Sequence, residues 1–199
     1  MKKVAGLGCL VILVIALLVL MKGCGSYNSL VGLSQSVDSQ WAQVQNVYQR
    51  RNDLIPNLVN TVSGAANFEK STLTEIANAR ASVGQVKIDP NKAPDNEQQL
   101  AQFQAAQQQM GSALSRLLVV SENYPELKAN ANFRDLQAQL EGTENRIKVA
   151  RNDFNTSVQD YNSVIRGFPN SIFSGMFHFP VKGYFQSDPG SDKAPEVKF

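Results

Sequence analysis

The sequence predicts an all-α protein: an N-terminal membrane helix followed by an elongated antiparallel bundle of three to four long helices. Three observations carry that expectation. Residues 4–21 are an unbroken run of apolar and small residues. From Tyr27 to Ile165 apolar residues recur mostly at three- and four-residue steps, the period of one helix face. Prolines and turn formers gather at 86–96, at Tyr124-Pro125 and at Gly167-Phe168-Pro169, which divides the stripe into helix-sized pieces.

At 199 residues and 21.8 kDa the chain has room for one domain plus an appendage. Hydrophobic residues make up 43% and charged residues 18%, so the chain can bury a core and lacks the compositional signature of disorder. Its 17 Asn and 17 Gln favour long solvated helix faces or loops over one large compact core. One His and two Cys are too few for most multi-ligand transition-metal sites. HExxH, CxxC and Gly-rich phosphate-loop patterns are absent as well, so neither cofactor nor metal is expected. The formal net charge is +2, but removing Lys2, Lys3 and Lys22 from the 19 basic residues leaves 16 against 17 acidic, a body of −1. That near-neutral body argues against a nucleic-acid partner.

Residues 1–25 read as a transmembrane signal anchor. As a helix, the 18 residues of the apolar run span roughly 27 Å at about 1.5 Å per residue, just enough for a bilayer core. A cleaved signal peptide is the first alternative, because a basic start, an apolar centre and the small residues Gly23 to Ser26 also suit one. Against it, the run exceeds the usual signal centre and no A-x-A site follows. Lipoprotein processing is the second alternative, with Cys24 as the acylated residue; Gly23-Cys24 resembles the end of a lipobox, although Met21 and Lys22 fit that pattern poorly. Cys9 reads as a small buried hydrophobe, and at most one Cys in the body excludes an intrachain disulfide framework. Lys2, Lys3 and the amino terminus on one side against Lys22 on the other place the body on the periplasmic or outer side of the inner membrane.

The bundle is expected over residues 26–168. Its first stripe runs Leu30, Val37, Trp41, Val44, Tyr48, Ile55, Leu58, Val62, Ala65 and on to Leu73, Ile76 and Val83, as one long amphipathic helix near a coiled-coil period. Pro56 is expected to kink it, or to break it with Asp53 capping the next segment. Residues 86–96 read as a loop. A second helix is expected from about Asp95, its cap, to Asn123, and a third from Pro125 to about Arg166. Narrow apolar stripes on polar helices cannot be buried alone, so the segments must pack side by side. Residues 169–199 read as an irregular aromatic tail, disordered at the end, that folds back on the bundle or docks elsewhere.

Two blocks concentrate polar chemistry. In the first, Arg50-Arg51-Asn52-Asp53-Leu54-Ile55-Pro56, two guanidiniums could meet an acidic partner, or one could lie at the bundle seam and pair with a carboxylate on a facing helix. In the second, Glu141-Gly142-Thr143-Glu144-Asn145-Arg146, polar residues interrupt the stripe with Thr143 facing the core. Glu141 or Glu144 as a general base is a rival reading, but no nucleophile, metal or pocket-forming loop accompanies them. Structural pairing with Arg50, Arg51 or Arg80 is the expectation, in a polar layer that fixes helix register. Phe173, Phe177 and Phe179 in the tail are of the kind that anchors interfaces, His178 between them reads as a surface contact, and Trp41 reads as core.

Together these segments resemble the LemA family of bacterial membrane-anchored helical proteins. The resemblance rests on Tyr27-Asn28-Ser29-Leu30-Val31, on Gln49-Arg50-Arg51-Asn52-Asp53-Leu54-Ile55-Pro56-Asn57-Leu58-Val59 and Ala79-Arg80-Ala81. It continues through Tyr124-Pro125-Glu126-Leu127-Lys128-Ala129, Phe133-Arg134-Asp135-Leu136-Gln137, Leu140-Glu141-Gly142-Thr143-Glu144-Asn145-Arg146-Ile147, Tyr161-Asn162 and Phe168-Pro169. It implies a long helical body on one membrane helix, no established enzymatic activity and no catalytic residues. It also implies a cytoplasmic body, opposite to the charge bias, and a place beside membrane proteases or envelope-stress proteins. Cys24 directly before the Tyr-Asn block departs from the pattern.

The function expected is therefore a membrane-anchored, non-enzymatic scaffold or adaptor of the bacterial cell envelope. Its partners would be the lipid bilayer and another membrane or envelope protein, with homo-oligomerisation left open. Arg50, Arg51, Pro56, Glu141, Glu144, Arg146, Phe173, Phe177 and Phe179 are the candidate structural or partner-contact residues. The alternative is a self-assembling, membrane-remodelling coiled-coil protein.

Overall fold

The computed structural model describes residues 2–65 and 68–187, without the side chains of residues 2–12, 15–20 and 22. Among them lie six helices and no strand: α1 (Lys2–Ser63), α2 (Lys70–Gln85), α3 (Glu97–Ser121), α4 (Pro125–Ala129), α5 (Ala131–Arg166) and α6 (Asn170–Met176). The long helices pack side by side, as the stripes require. Arg51 of α1 meets Glu144 of α5 and, ten residues back, Trp41 meets Phe154, so α1 and α5 run antiparallel. Glu75 near the start of α2 pairs with Arg116 near the end of α3 at 2.7 Å, which makes these two a second antiparallel pair.

The core is in two parts. One gathers Trp41, Tyr48, Phe103, Phe154 and Phe185 around the middle of α1. The other joins Leu54, Ile55, Leu58 and Val62 of α1 to Ile76, Met110, Leu114, Leu117, Phe133 and Leu140 from the other helices. Ring centroids around Trp41 lie 5.2 Å from Phe103 and 5.7 Å from Phe154, within the range of favourable edge and tilted contacts.

Several element boundaries differ from those expected. Pro56 does not divide α1. Proline removes the hydrogen bond to the Asn52 carbonyl, at about 3 kcal/mol or more, but burial of Leu54, Ile55 and Leu58 around it offsets that loss. Asp53 caps nothing; it accepts from Gln49 one turn earlier. The break comes instead after Ser63, where Ala65 N–H closes a turn on Val62 O, so the stripe at Leu73, Ile76 and Val83 belongs to the separate helix α2. Asn96, not Asp95, caps α3, accepting from Gln99 N–H at 2.7 Å. Asn130 ends α4 and caps α5, dividing the third expected helix. The start of the tail is helical, as α6.

Loop 86–96 lies on α1. Trp41 Nε1–H donates to Asp89 O at 3.0 Å, and Asp38 Oδ1 accepts from Ala93 N–H at 3.0 Å. After α6 the chain turns at His178, whose φ of 57° is left-handed, and continues as an extended strap over residues 180–187.

Among the described residues no helix is long and apolar enough to cross a membrane. The apolar run 4–21 forms the start of the α1 backbone, but most of its side chains fall outside the described set, and with them the expectation of a membrane helix. The expected disordered end, residues 188–199, also lies outside the described residues.

Truncating the centre of the first cluster should be costly. Trp41→Ala is expected to lower stability by about 3–5 kcal/mol. The check is the urea midpoint followed by circular dichroism, since Trp41 is the single tryptophan.

Candidate functional site

The two apolar clusters are separated by a polar layer centred on Arg51, buried to 2% exposure. Its position on the α1 stripe, three residues after Tyr48 and three before Leu54, directs the side chain inward. Nη1 donates to Glu144 Oε1 of α5 at 2.8 Å. Nη2 donates to Gln107 of α3 twice, to Oε1 at 2.5 Å and to the main-chain oxygen at 3.1 Å. The guanidinium also stands 5.1 Å over the Tyr48 ring. One cation thus ties three helices. Glu144 keeps 41% of its side chain in water, so this is a half-open ion pair with a smaller desolvation cost than a fully buried one. Thr143 beside it is buried and satisfies its hydroxyl on Gln139 O at 2.7 Å.

Around this layer α3 and α5 stand apart and enclose a cleft of about 570 Å³, lined by Arg51, Gln104, Gln107, Ser112, Glu144 and Arg151 among others. A second hollow of about 450 Å³ shares Gly111, Ser115 and Glu144 with it and reaches Glu141 and Lys148.

The upper end of the α3–α5 groove is filled by the strap, which is held by its main chain. Asn162 Oδ1 accepts from Lys182 N–H at 3.0 Å while its Nδ2 donates to Lys182 O at 2.8 Å. Asn155 grips Phe185 in the same way, at 2.9 and 3.0 Å, and Gln104 grips Gln186 at 3.0 and 2.8 Å. A carboxamide carries a donor and an acceptor side by side, so it pairs with an extended residue as a neighbouring strand would. The spacing fits: seven residues between Asn155 and Asn162 cover about 10.5 Å of helix, and three between Lys182 and Phe185 cover about 10 Å of extended chain.

Side chains lock the strap further. Phe185 enters the aromatic cluster under Arg151, whose guanidinium lies 5.0 Å over its ring and donates to Gln186 O at 2.7 Å. The buried Lys182 ammonium lies 3.6 Å from Asp38 and 3.8 Å from Asp95. Tyr161 donates its hydroxyl to Pro180 O at 3.0 Å; its pKa is pushed up to about 12, first by burial and then by the charges of Asp95 and Asp38.

Of the residues singled out in the sequence, Arg51 and Glu144 meet in the polar layer. Arg50, Arg80 and Arg146 are exposed outside it, and Glu141 accepts from Gln137 at 3.2 Å on the surface. Pro56 is half-buried, one turn beyond the layer. Phe173, Phe177 and Phe179 fold back toward the start of the α1 body: a Cβ on Gly23 would meet the Phe173 ring at 3.2 Å, and Tyr27 lies 5.0 Å from Phe177 and 5.9 Å from Phe179. Cys24 is free and exposed. Gln104, Asn155, Asp38 and Lys182 were not singled out, and Asn162 stood only in the Tyr161-Asn162 pair that carries the resemblance. The available signal was the amide excess, with Gln104 and Gln107 one turn apart and Asn155 and Asn162 two turns apart. Among the described residues no group of three or more His, Cys, Asp or Glu could hold a metal ion.

Three outcomes follow from this geometry. Glu144→Ala, which strips the buried guanidinium of its carboxylate, should cost about 1–3 kcal/mol in urea unfolding. Replacing the layer's cation and amide together by Arg51→Met with Gln107→Leu should stay within about 1 kcal/mol of the parent or exceed it, because burying the cation carries a desolvation cost. The reverse order would contradict the account. Asn162→Leu should free the strap, so that trypsin cuts after Lys182 well before the helices unfold, whereas the parent chain resists cleavage there.

Comparison with known proteins finds relatives at 22–25% identity. The chain is 25% identical over 181 residues to magnetosome protein MamQ 2 of Paramagnetospirillum magneticum, covering 83% of this chain and 66% of that protein. It is 24% identical over 181 residues to magnetosome protein MamQ of Magnetospirillum gryphiswaldense, with the same coverage. It is 22% identical over 144 residues to protein LemA of Metamycoplasma hominis, covering 72% of this chain and 61% of that one. The chain therefore spans just under two thirds of the length of these curated relatives. The profile of the LemA family matches residues 40–199, which include the Arg51 layer and the strap, and the chain belongs to the LemA family.

Proposed function

We propose that the chain is a membrane-anchored, non-enzymatic scaffold or adaptor of the bacterial cell envelope that holds another membrane or envelope protein. The observation that carries this reading is the continuity of α1. One helix runs from Lys2, through the apolar run, to Ser63, so an anchor at residues 4–21 would carry the bundle with no linker between them. Arg51 and Glu144 of the polar layer pair with each other, with no nucleophile or metal group beside them among the described residues. The α3–α5 cleft, bordered by amides and serines beside Arg51 and Arg151, is the surface on which a partner would sit. The likeness to proteins named for the magnetosome supports a role in building a cell structure over a metabolic one.

In this reading α1 crosses the inner membrane once, and the charge bias of Lys2 and Lys3 keeps the N-terminus inside and the body on the periplasmic side. The test combines an alkaline carbonate wash of membranes with protease access to a C-terminal tag. The chain is expected to stay in the membrane pellet, with the tag cut once the outer membrane is opened. Release by the wash overturns the anchor. Cleavage only after the inner membrane is opened overturns the orientation.

A further inference from the structure

We infer that α6 and the residues flanking it form a membrane-interface foot, which rests in the headgroup layer of the bilayer beside α1. The inference goes beyond the scaffold reading and rests on it for the bilayer position of residues 4–21.

The foot is unlike the rest of the surface. Residues 167–181 contain no Asp, Glu, Lys or Arg. Phe173 and Phe177, one turn apart, face α1 at Gly23 and Tyr27. The adjacent face, about 100° round the helix, would be polar in a helix that meets only water, yet it carries Ile172 at 57% exposure and Met176 at 63%, again one turn apart, while the far side holds only the small residues Ser171 and Gly175. Phe168 at 85% and Val181 at 45% are further exposed apolar residues in the segments that flank α6. By contrast, the exposed large apolar residues of α3 and α5 are the single positions Val119 and Val149.

Position on α1 identifies what covers this face. Gly23 is two residues beyond Met21, the end of the apolar run, and Tyr27 is six beyond it. At about 1.5 Å per residue, α6 meets α1 roughly 3–9 Å past the hydrocarbon edge. The headgroup region is about 5–7 Å deep on each side of the hydrocarbon core, and interfacial helices bury their apolar face about 5–10 Å. Tyr27 suits that depth as an amphipathic ring, and Phe177 against it suits the apolar face of an interfacial helix. Leu13, within the run, is itself 66% exposed.

The test uses the full-length chain with Cys9→Ala and Cys24→Ala, reconstituted in phosphatidylethanolamine–phosphatidylglycerol vesicles. Single cysteines replace Leu13, Ile172 or Val149 and carry an environment-sensitive fluorophore; Met176→Cys serves as a second foot site. Nitroxide lipids labelled at the headgroup or at mid-chain read depth. The Ile172 label is expected to brighten several-fold over the Val149 label and to be quenched most by the headgroup nitroxide, with the Leu13 label quenched most by the mid-chain nitroxide. An aqueous Ile172 and Met176 beside a mid-chain Leu13 overturns the foot and leaves the anchor standing. Headgroup quenching at Ile172 with an aqueous Leu13 keeps the foot and overturns the anchor. All labels aqueous overturns both.

Discussion

Burying the Arg51 guanidinium where α1, α3 and α5 meet requires that its charge and its two terminal amino groups be answered by particular neighbours, although Nε stays without a partner among the described residues, and that requirement sets the register of the bundle. Apolar stripes alone would tolerate sliding by a turn, because one leucine layer packs much like the next. A planar cation with Glu144 on one side and Gln107 on the other does not. With Arg51 opposite Glu144, ten residues along each helix bring Trp41 onto Phe154, and the aromatic cluster forms. The same layer keeps α3 and α5 apart and so leaves the cleft open between them.

The strap completes what the three helices leave uncovered. Phe185 fills the cluster between Trp41, Phe103 and Phe154, at a point where α3 and α5 are too far apart to close on each other. An extended segment inside a helical body has unpaired peptide groups, each costly if buried without a partner. Asn155, Asn162 and Gln104 supply those partners two bonds at a time. The amide-rich composition has a structural use here, since a carboxamide can pair with a peptide where a helix backbone has no group to spare.

Much of this was legible in the sequence, and the parts that were not share a cause. The stripe of Leu30, Trp41, Val44 and Tyr48 is buried as its period required, and pairing of an arginine in the first block with a carboxylate in the second is present as Arg51 with Glu144. Pro56 misled because its local cost is visible in sequence while the burial that offsets it is not. Leu73, Ile76 and Val83 continue the spacing of the first stripe closely enough to hide the turn after Ser63. Asp95 and Asn96 are both good caps, and Asp95 is drawn instead toward Lys92, at 2.7 Å, and Lys182.

By itself the sequence determined the helical class, the inward face of each helix and the apolar run at the N-terminus, because these depend on neighbours three or four positions away. It also carried family membership, through residues 40–199. Tertiary structure alone decided which carboxylate answers the inward arginine, where the first stripe reverses, and that the tail becomes a clamped strap. Those outcomes depend on groups such as Gln104 and Gln186, 82 residues apart, whose hydrogen bonds acquire their value only when folding has excluded water from between them.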